Sequence, residues 1–568
     1  MAPTPPKAPW LASFGPIPAR LDYFSGTMWE GVRRAGEQYK DFVAYDFMGK
    51  STSYGDFCRD VLRCAGGLSA AGVRPGDRVT LCLPNCPQAV VLFYAVNALG
   101  AVSNMVHPLS GEKEIEFYLN EGESRVAVTL DQFCGKFAAV RENTPLQTLI
   151  VTSVADAMPL LTGIGYALTE GRKIPEIPKN LPVLLWKDFW KSALSEPNLP
   201  SGRSEDPAVI LYSGGTTGTT KGILLSNGNF NALAQQVIAA NPMFRPGDKM
   251  LAVMPVFHGF GLGVSIHSML FHGGRCILVP RFTVKSYGKL LREKKCNFVA
   301  GVPSLYEALL REDSMENADL SFLKGVFSGG DSLSVGLKKR FDAFLKAHGS
   351  TVPIREGYGT TECVTASCLT PVDAYREGSI GIPFPDTYYK IVRPGTREEV
   401  AYGEEGEICI AGPTVMLGYL NRPGETADAL QVHADGLRWV HTGDLGMMDE
   451  DGFVYFRQRI KRMIVTNGYN VYPSQIENVL DSMEEVQISC VIGVDDPVRI
   501  RAVKAFVVLK PGVPESEETK EKILARCRKY VARYALPRQI EFRRELPKTL
   551  VGKVAYRVLE EEEKQKSS

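Results

Sequence analysis

Ten consecutive residues, Ser213-Gly-Gly-Thr-Thr-Gly-Thr-Thr-Lys-Gly222, stand between one apolar run, Ala208-Val-Ile-Leu-Tyr212, and the start of another, Ile223-Leu-Leu225. Glycines at 214, 215 and 218 allow backbone conformations that turn several N–H groups into one space. The hydroxyls of Ser213, Thr216, Thr217, Thr219 and Thr220 line up with them, and Lys221 adds a cation. Amides, hydroxyls and one ammonium together suit a polyphosphate. The segment is not a Walker A loop, because Thr220 precedes the lysine where that pattern needs glycine and Gly222 follows where it needs Ser or Thr. A G-x-G-x-x-G dinucleotide pattern is absent from it as well. A flexible surface linker does not account for a terminal lysine and an immediate return to apolar strand.

Around this loop, strand-like runs alternate with helical spacing. Arg78-Val-Thr-Leu-Cys-Leu, Ala101-Val-Ser-Asn-Met-Val, Val126-Ala-Val-Thr-Leu and Leu149-Ile-Val-Thr are the runs before it. That alternation is the pattern of a parallel sheet covered on both faces. Residues 1–25 read as an extended arm, and residues 155–206, rich in Pro, Lys and Gly, as a surface excursion. The alternation resumes at 207 and continues to about 370, and short glycine-rich strands follow. Beyond about 462 comes a compact α+β unit, large enough to fold separately. Its last segment, Glu560-Glu-Glu-Glu-Lys, reads as a solvated helix end.

The expected fold class is α/β: a large N-terminal domain (1–460) of layered α/β subdomains with a small β-rich subdomain, then a small mobile α+β domain (461–568). A chain of 568 residues exceeds one hydrophobic core. A net charge of +1 gives no bulk electrostatic case for nucleic acid or anionic membrane as the main partner. Twelve cysteines without any C-x-x-C argue against zinc and for reduced thiols. The proline-rich start lacks a signal-peptide core, and the longest apolar stretch, residues 89–102, is too short for a bilayer and contains Asn97. The expectation is a buried helix there and a cytoplasmic protein, a monomer or homodimer, with peripheral membrane contact open.

Further motifs follow in order: Ser328-Gly-Gly-Asp-Ser332, Gly357-Tyr-Gly-Thr-Thr-Glu362, Thr442-Gly-Asp444, the long segment Arg457 to Glu477, and Leu546-Pro-Lys-Thr-Leu-Val-Gly-Lys-Val-Ala-Tyr-Arg557. With the phosphate loop they resemble the signature set of the adenylate-forming superfamily, which includes acyl- and aryl-CoA synthetases, firefly luciferase and peptide-synthetase adenylation domains. The resemblance runs from about residue 25 to the end. It departs at Gln458, where Gly or Asp is usual, and at Gln475, where Glu is usual.

The resemblance implies that ATP is held by the loop from Ser213 to Lys221, by Gly329, Gly330 and Asp331 beside adenine, and by Gly357, Tyr358, Gly359, Thr360 and Thr361. Asp444 would take the ribose hydroxyls, and Arg459 would contact the nucleotide. Glu362 is the hard oxygen ligand for Mg²⁺. Lys553 would reach the carboxylate and α-phosphate, Lys461 lies at the hinge, and Gly468 with Tyr469 would meet coenzyme A. Catalysis then falls to Lys553, Lys221, Thr217, Glu362 and His258.

His258, Gly259, Phe260, Gly263, Val302 and Val364 resemble the acid pocket. Amino-acid-activating relatives keep an aspartate where His258 stands, and the small apolar lining fits an alkyl or aryl tail. The implied reaction joins a medium- or long-chain fatty acid to CoA, with ATP yielding AMP and pyrophosphate. The alternatives are an aryl-CoA ligase of benzoate or cinnamate type and an acyl-AMP ligase loading a carrier protein. A nucleotide-binding regulatory protein would have no use for Lys553 in its full motif.

Overall fold

The computed structural model describes residues 6–175, 177, 183–192, 197–212, 220–466, 469–496, 500–549 and 554–567. By its internal contacts the chain forms two compact units. The first holds residues 1–213, 221–388 and 410–440; the second holds 214–220, 389–409 and 441–568.

The first unit is built on two large sheets. In the eight-stranded sheet the strands run in the order Gly418–Tyr419, Gly222–Ser226, Pro207–Tyr212, Val102–Met105, Arg78–Cys82, Val126–Leu130, Thr148–Thr152, Val183–Leu185. Its middle is parallel, as the alternating sequence requires. Pro207–Tyr212 and Gly222–Ser226, which flank the phosphate loop, form an antiparallel pair. The nine-stranded sheet runs Ile382–Pro383, Cys368–Leu369, Ile354–Tyr358, Gly325–Ser328, Phe298–Gly301, Lys249–Ala252, Arg275–Leu278, Val43–Phe47, Lys50–Ser53.

Local chemistry explains several boundaries. Thr27 accepts from the Glu30 amide at 3.1 Å while Glu30 accepts from the Thr27 amide at 2.7 Å, a reciprocal cap that starts the helix Met28–Gln38. The helix Pro87–Ala98 is buried on every side from Gln88 onward, so the long apolar stretch is core. No helix among the described residues is long and apolar enough to cross a membrane. All cysteines are free, and all but Cys58 are buried, which fits the reading of thiols as small core residues.

Two expectations are corrected here. Residues 155–206 are not merely a surface excursion. Val183–Leu185 adds a parallel eighth strand beside Thr148–Thr152, and the helix Trp186–Ser192 buries Phe189 completely in the main core. One anchoring ring outweighs the polar composition around it. The arm is also tied down: Trp10 is buried against Tyr388 at 6.4 Å between ring centroids, and the Leu21 amide donates to Asp386 at 2.9 Å.

In the second unit, the strands Val486–Asp496 and Ile500–Leu509 pair antiparallel, and Gln539–Phe542 adds a parallel third. The helices Pro473–Asp481 and Glu517–Tyr530 pack Ile476, Leu480, Ile523 and Cys527 into its core. The terminal helix Tyr556–Ser567 is not simply solvated, because it buries Leu559 and Tyr556. Lys504, 6% exposed, is held by Glu541 at 2.8 Å and by Glu563 at 2.7 Å, while Glu562 pairs with Arg543 at 2.9 Å. A buried ammonium requires such counter-charges, so the acidic run has structural work.

Candidate adenylation site

Lys221 leads into the strand Gly222–Ser226, which pairs antiparallel with the two-residue strand Gly418–Tyr419. That pairing sets Tyr419 between two candidate catalytic groups. The Lys221 ammonium lies over the Tyr419 ring, 4.5 Å from its centroid, and the Tyr419 hydroxyl donates to Glu362 Oε1 at 2.8 Å. Burial and the Glu362 charge keep that phenol well above its ordinary value, so it remains a donor. Lys221 also forms an ion pair with Glu425, which takes Arg422 at 3.0 Å; Arg422 in turn reaches Glu121 at 3.4 Å. Sequence reasoning missed Tyr419 and Glu425.

Gly357 and Tyr358 end the strand Ile354–Tyr358, and Thr361–Cys363 is a single 3₁₀ turn carrying Glu362. The two residues after that turn, Val364 and Thr365, have φ of +52° and +78°. Left-handed backbone is costly for β-branched residues, about 1–3 kcal/mol each, and clusters at functional sites. Glycine is required opposite them. A Cβ at Gly259 would lie 2.1 Å from Thr365 Oγ1, and one at Gly359 would lie 2.3 Å from the Thr365 carbonyl oxygen. A Cβ at Gly263 would meet Val364 Cγ1 at 3.2 Å. Gly259, Gly263, Gly359 and Val364 therefore come together, and Phe260 joins them beside Gly329, whose Cβ position is 3.5 Å from the Phe260 ring. His258 is half-buried and accepts from the Phe260 amide at 3.3 Å through Nδ1. Val302 stands at the entrance to the helix Pro303–Leu309, on the loop after the strand Phe298–Gly301.

Gly329, Gly330 and Asp331 follow the strand Gly325–Ser328; Gly330 has φ +82°, and Asp331 accepts from the Ser332 amide at 2.9 Å. Beneath this loop lies a further group that the sequence motifs do not mark. Glu356, buried on the strand before Gly357, accepts from the Leu333 amide at 2.8 Å. Loss of water raises its pKa to about 8, so it is largely protonated at neutral pH. Its adjacency to Gly357 was the only sequence signal.

In the second unit, Asp444 and Arg459 face each other across paired strands, with Arg459 Nε 3.2 Å from Asp444 Oδ1. Asp444 is buried and Arg459 is 42% exposed. Beside Thr442-Gly-Asp, which lies within the strand Arg438–Met448, Glu407 accepts from the Gly443 amide and from His441 Nδ1, both at 2.9 Å. Glu407, Cys409 and His441 place donor atoms within 4.8 Å of one another. Both Glu407 oxygens are committed, and burial holds the Cys409 thiol far above its ordinary value, so this trio braces the strand at Gly443 rather than caging an ion. Lys461 is exposed on a 3₁₀ turn between strands, and Tyr469 opens the short strand Tyr469–Val471. Thr220 is half-buried ahead of Lys221. Ser213, Gly214, Gly215, Thr216, Thr217, Gly218, Thr219, Gly468 and Lys553 lie outside the described residues.

Glu362 fits a hard divalent cation. It offers an anionic oxygen donor, is half-buried, and among the described residues has only Oε1 engaged, by a neutral hydroxyl.

The AMP-binding enzyme family matches residues 32–420, and its C-terminal domain matches residues 475–553. A long-chain-fatty-acid–CoA ligase of Bacillus subtilis is 36% identical over 566 residues, covering 98% of both chains. A feruloyl-CoA synthase of an Amycolatopsis species is 30% identical over 514 residues, covering 89% of this chain and 93% of its own. Among solved structures, ATP-bound MatB from Rhodopseudomonas palustris aligns with a TM-score of 0.81 at 25% identity, covering 95% of this chain and 100% of the other. By the family match and these full-length relatives, the chain belongs to the AMP-binding enzyme family, within the adenylate-forming superfamily, and is an AMP-forming acyl-CoA synthetase.

Proposed function

We propose that this synthetase activates a medium- or long-chain fatty acid and passes the acyl group to free CoA. The observation that supports the reading is the packing of Gly259 and Gly263 against Val364, Thr365 and Leu233, all uncharged, at the positions assigned to the acid pocket. The fatty-acid ligase from Bacillus supports it, at 36% identity along the whole chain. An aryl acid is the second reading, favoured by the feruloyl-CoA synthase at 30%.

In the proposed chemistry a carboxylate oxygen attacks the α-phosphorus of ATP. The bond from that phosphorus to the bridging oxygen breaks, and pyrophosphate leaves. The CoA thiolate then attacks the acyl carbon of the mixed anhydride and AMP departs. The residues' task is to bring anions together and offset the charge that develops. Lys221 and the amides and hydroxyls of residues 213–220, Thr217 among them, are assigned to the polyphosphate. Gly329–Asp331 and Gly357–Thr361 are assigned to the nucleotide, Asp444 to the ribose, Arg459 to the phosphates, and Lys553 to the reacting carboxylate and α-phosphate. Glu362 is the residue that would hold Mg²⁺, which supplies positive charge to the leaving pyrophosphate. His258 is assigned to the mouth of the acid pocket. A division at residues 460/461, with Lys461 as hinge, would exchange Lys553 for Gly468 and Tyr469 between the two half-reactions.

ATP–pyrophosphate exchange across fatty acids of graded length, benzoate and cinnamates, with and without CoA, tests this. The reading expects exchange with alkyl acids and AMP formation that requires CoA. Preference for cinnamates would replace it with the aryl reading, and CoA-independent turnover on a carrier would replace the acceptor.

A further inference from the structure

Exposed aliphatic side chains are scattered singly over most of the molecule, which is ordinary for a protein surface. One helix breaks that pattern. On Leu160–Leu168 four large aliphatic residues stand out within nine positions: Leu160 is 79% exposed, Leu161 84%, Ile164 50% and Leu168 55%. The spacing 160, 164, 168 runs along one helical stripe, with Leu161 beside it. The opposite side is seated on the protein. Tyr166 packs against the main core, and a Cβ at Gly163 would lie 3.7 Å from the Ala155 carbonyl oxygen. The helix is therefore held in place with its aliphatic stripe facing water, an arrangement that marks an interaction surface.

The charge next to the stripe indicates the occupant. The helix runs into the 3₁₀ turn Glu170–Lys173, where Arg172 and Lys173 are both exposed. The one acid in that turn, Glu170, is paired with Lys173 at 2.7 Å and also feels the charge of Arg281. An aliphatic stripe ending in a cluster of net positive charge matches a bilayer with anionic headgroups, with the leucines entering the acyl boundary and the bases reaching phosphates. A second copy of the chain fits less well, since four aliphatic side chains supply only about half of the roughly 800 Å² per partner of a standard interface.

We propose that the helix Leu160–Leu168 docks this enzyme on anionic lipid surfaces. The argument stands on the helix and its flank, whichever acid is activated. The test is sedimentation of the full chain with vesicles of phosphatidylglycerol and phosphatidylcholine, against phosphatidylcholine alone. The unaltered protein is expected to sediment with the anionic vesicles. A Leu160→Asn/Leu161→Asn double variant should lose about tenfold in partitioning or more, and an Arg172→Ser/Lys173→Ser variant about threefold to tenfold. Pyrophosphate exchange with a short, soluble acid should be unchanged in both, because neither variant touches the adenylation site.

Equal sedimentation of all three proteins would overturn the proposal. So would sedimentation velocity showing an unaltered dimer that the leucine variant abolishes, which would assign the stripe to a second copy. Vesicle binding by a protein that exchanges pyrophosphate with no acid would support the docking while removing the acid-activation reading.

Discussion

In this structure Lys221 is held by a carboxylate that a polyphosphate would have to replace. Its ammonium meets the Glu425 carboxylate and the Tyr419 ring; Tyr419 is on the strand that pairs with the one after the phosphate loop, and Glu425 is on the helix Pro423–Ala429 that follows. Changing Glu425→Gln removes the competing charge and leaves the ring in place. The size of the effect follows from exposure. Lys221 is 26% exposed and Glu425 39%, so solvent screens the pair, and such pairs contribute about 0.2–1 kcal/mol. Arg422, released from Glu425, still has Glu121 at 3.4 Å and need not follow Lys221 to the ligand. Affinity for MgATP should therefore rise by up to about fivefold, the upper end of that range. Calorimetric titration of MgATP in the absence of acid measures it. The gain should shrink in high salt, where the Debye length falls to about 3 Å at 1 M. Unchanged affinity in a folded variant would refute the competition. Weaker affinity would reverse it, making Glu425 the group that holds Lys221 in its working position.

Tyr419→Phe keeps the ring under Lys221 but frees the Glu362 carboxylate to rotate. The Mg²⁺ concentration for half-maximal pyrophosphate exchange should rise about threefold to tenfold, the cost of re-immobilising one side chain, with a parallel loss in MgATP affinity by calorimetry. Glu356→Gln should flatten part of the pH dependence of stability. The raised value near 8 means the native state keeps a proton that the unfolded state gives up above about 4.5. Wild-type stability contributed by this group is thus full below about pH 4.5 and is lost as pH rises through 8, at ~1.4 kcal/mol per pH unit at most; urea unfolding at pH 6 and pH 8 should show the variant gaining on wild type. Gly359→Ala puts a methyl 2.3 Å from a backbone carbonyl and should cost about 1–3 kcal/mol in urea unfolding. Lys553→Ala should abolish pyrophosphate exchange while a preformed acyl-adenylate still reacts with CoA; equal loss of both would remove its assigned role.

Where one side chain type decides an element, the sequence was sufficient. The buried helix Pro87–Ala98 and the parallel strands Arg78–Cys82, Val102–Met105, Val126–Leu130 and Thr148–Thr152 follow from mainly apolar runs. The strand pair around the phosphate loop follows from Ala208–Tyr212 and Ile223–Leu225. Val183–Leu185 did not emerge, because three apolar residues between a proline-rich stretch and a tryptophan helix carry no period. Gln539–Phe542 is one residue longer and half polar, and only its partner strand makes it a strand. Charged residues were the hardest to read. Glu563 and Glu562 sit in a run of four glutamates that sequence alone assigns to solvent, and buried Lys504 gives that run its purpose.

The same limit governs the site. Motifs mark residues by their own chemistry, so Lys221, Glu362 and Asp444 were legible as candidates. Tyr419 and Glu425 act on Glu362 and Lys221 from a distant stretch of chain, Glu407 holds the Gly443 amide next to Asp444, and Glu356 holds the Leu333 amide. Tyr419 meets Glu362 only because Gly418–Tyr419 pairs with Gly222–Ser226, while the Met416 amide donates to the Glu362 carbonyl at 2.8 Å. One short strand thus fixes the spacing between the lysine of the first motif and the carboxylate of the second. A change in that strand should move ATP and Mg²⁺ affinities together, whereas a change at Glu407 should act on the strand segment Thr442-Gly-Asp and leave metal dependence alone.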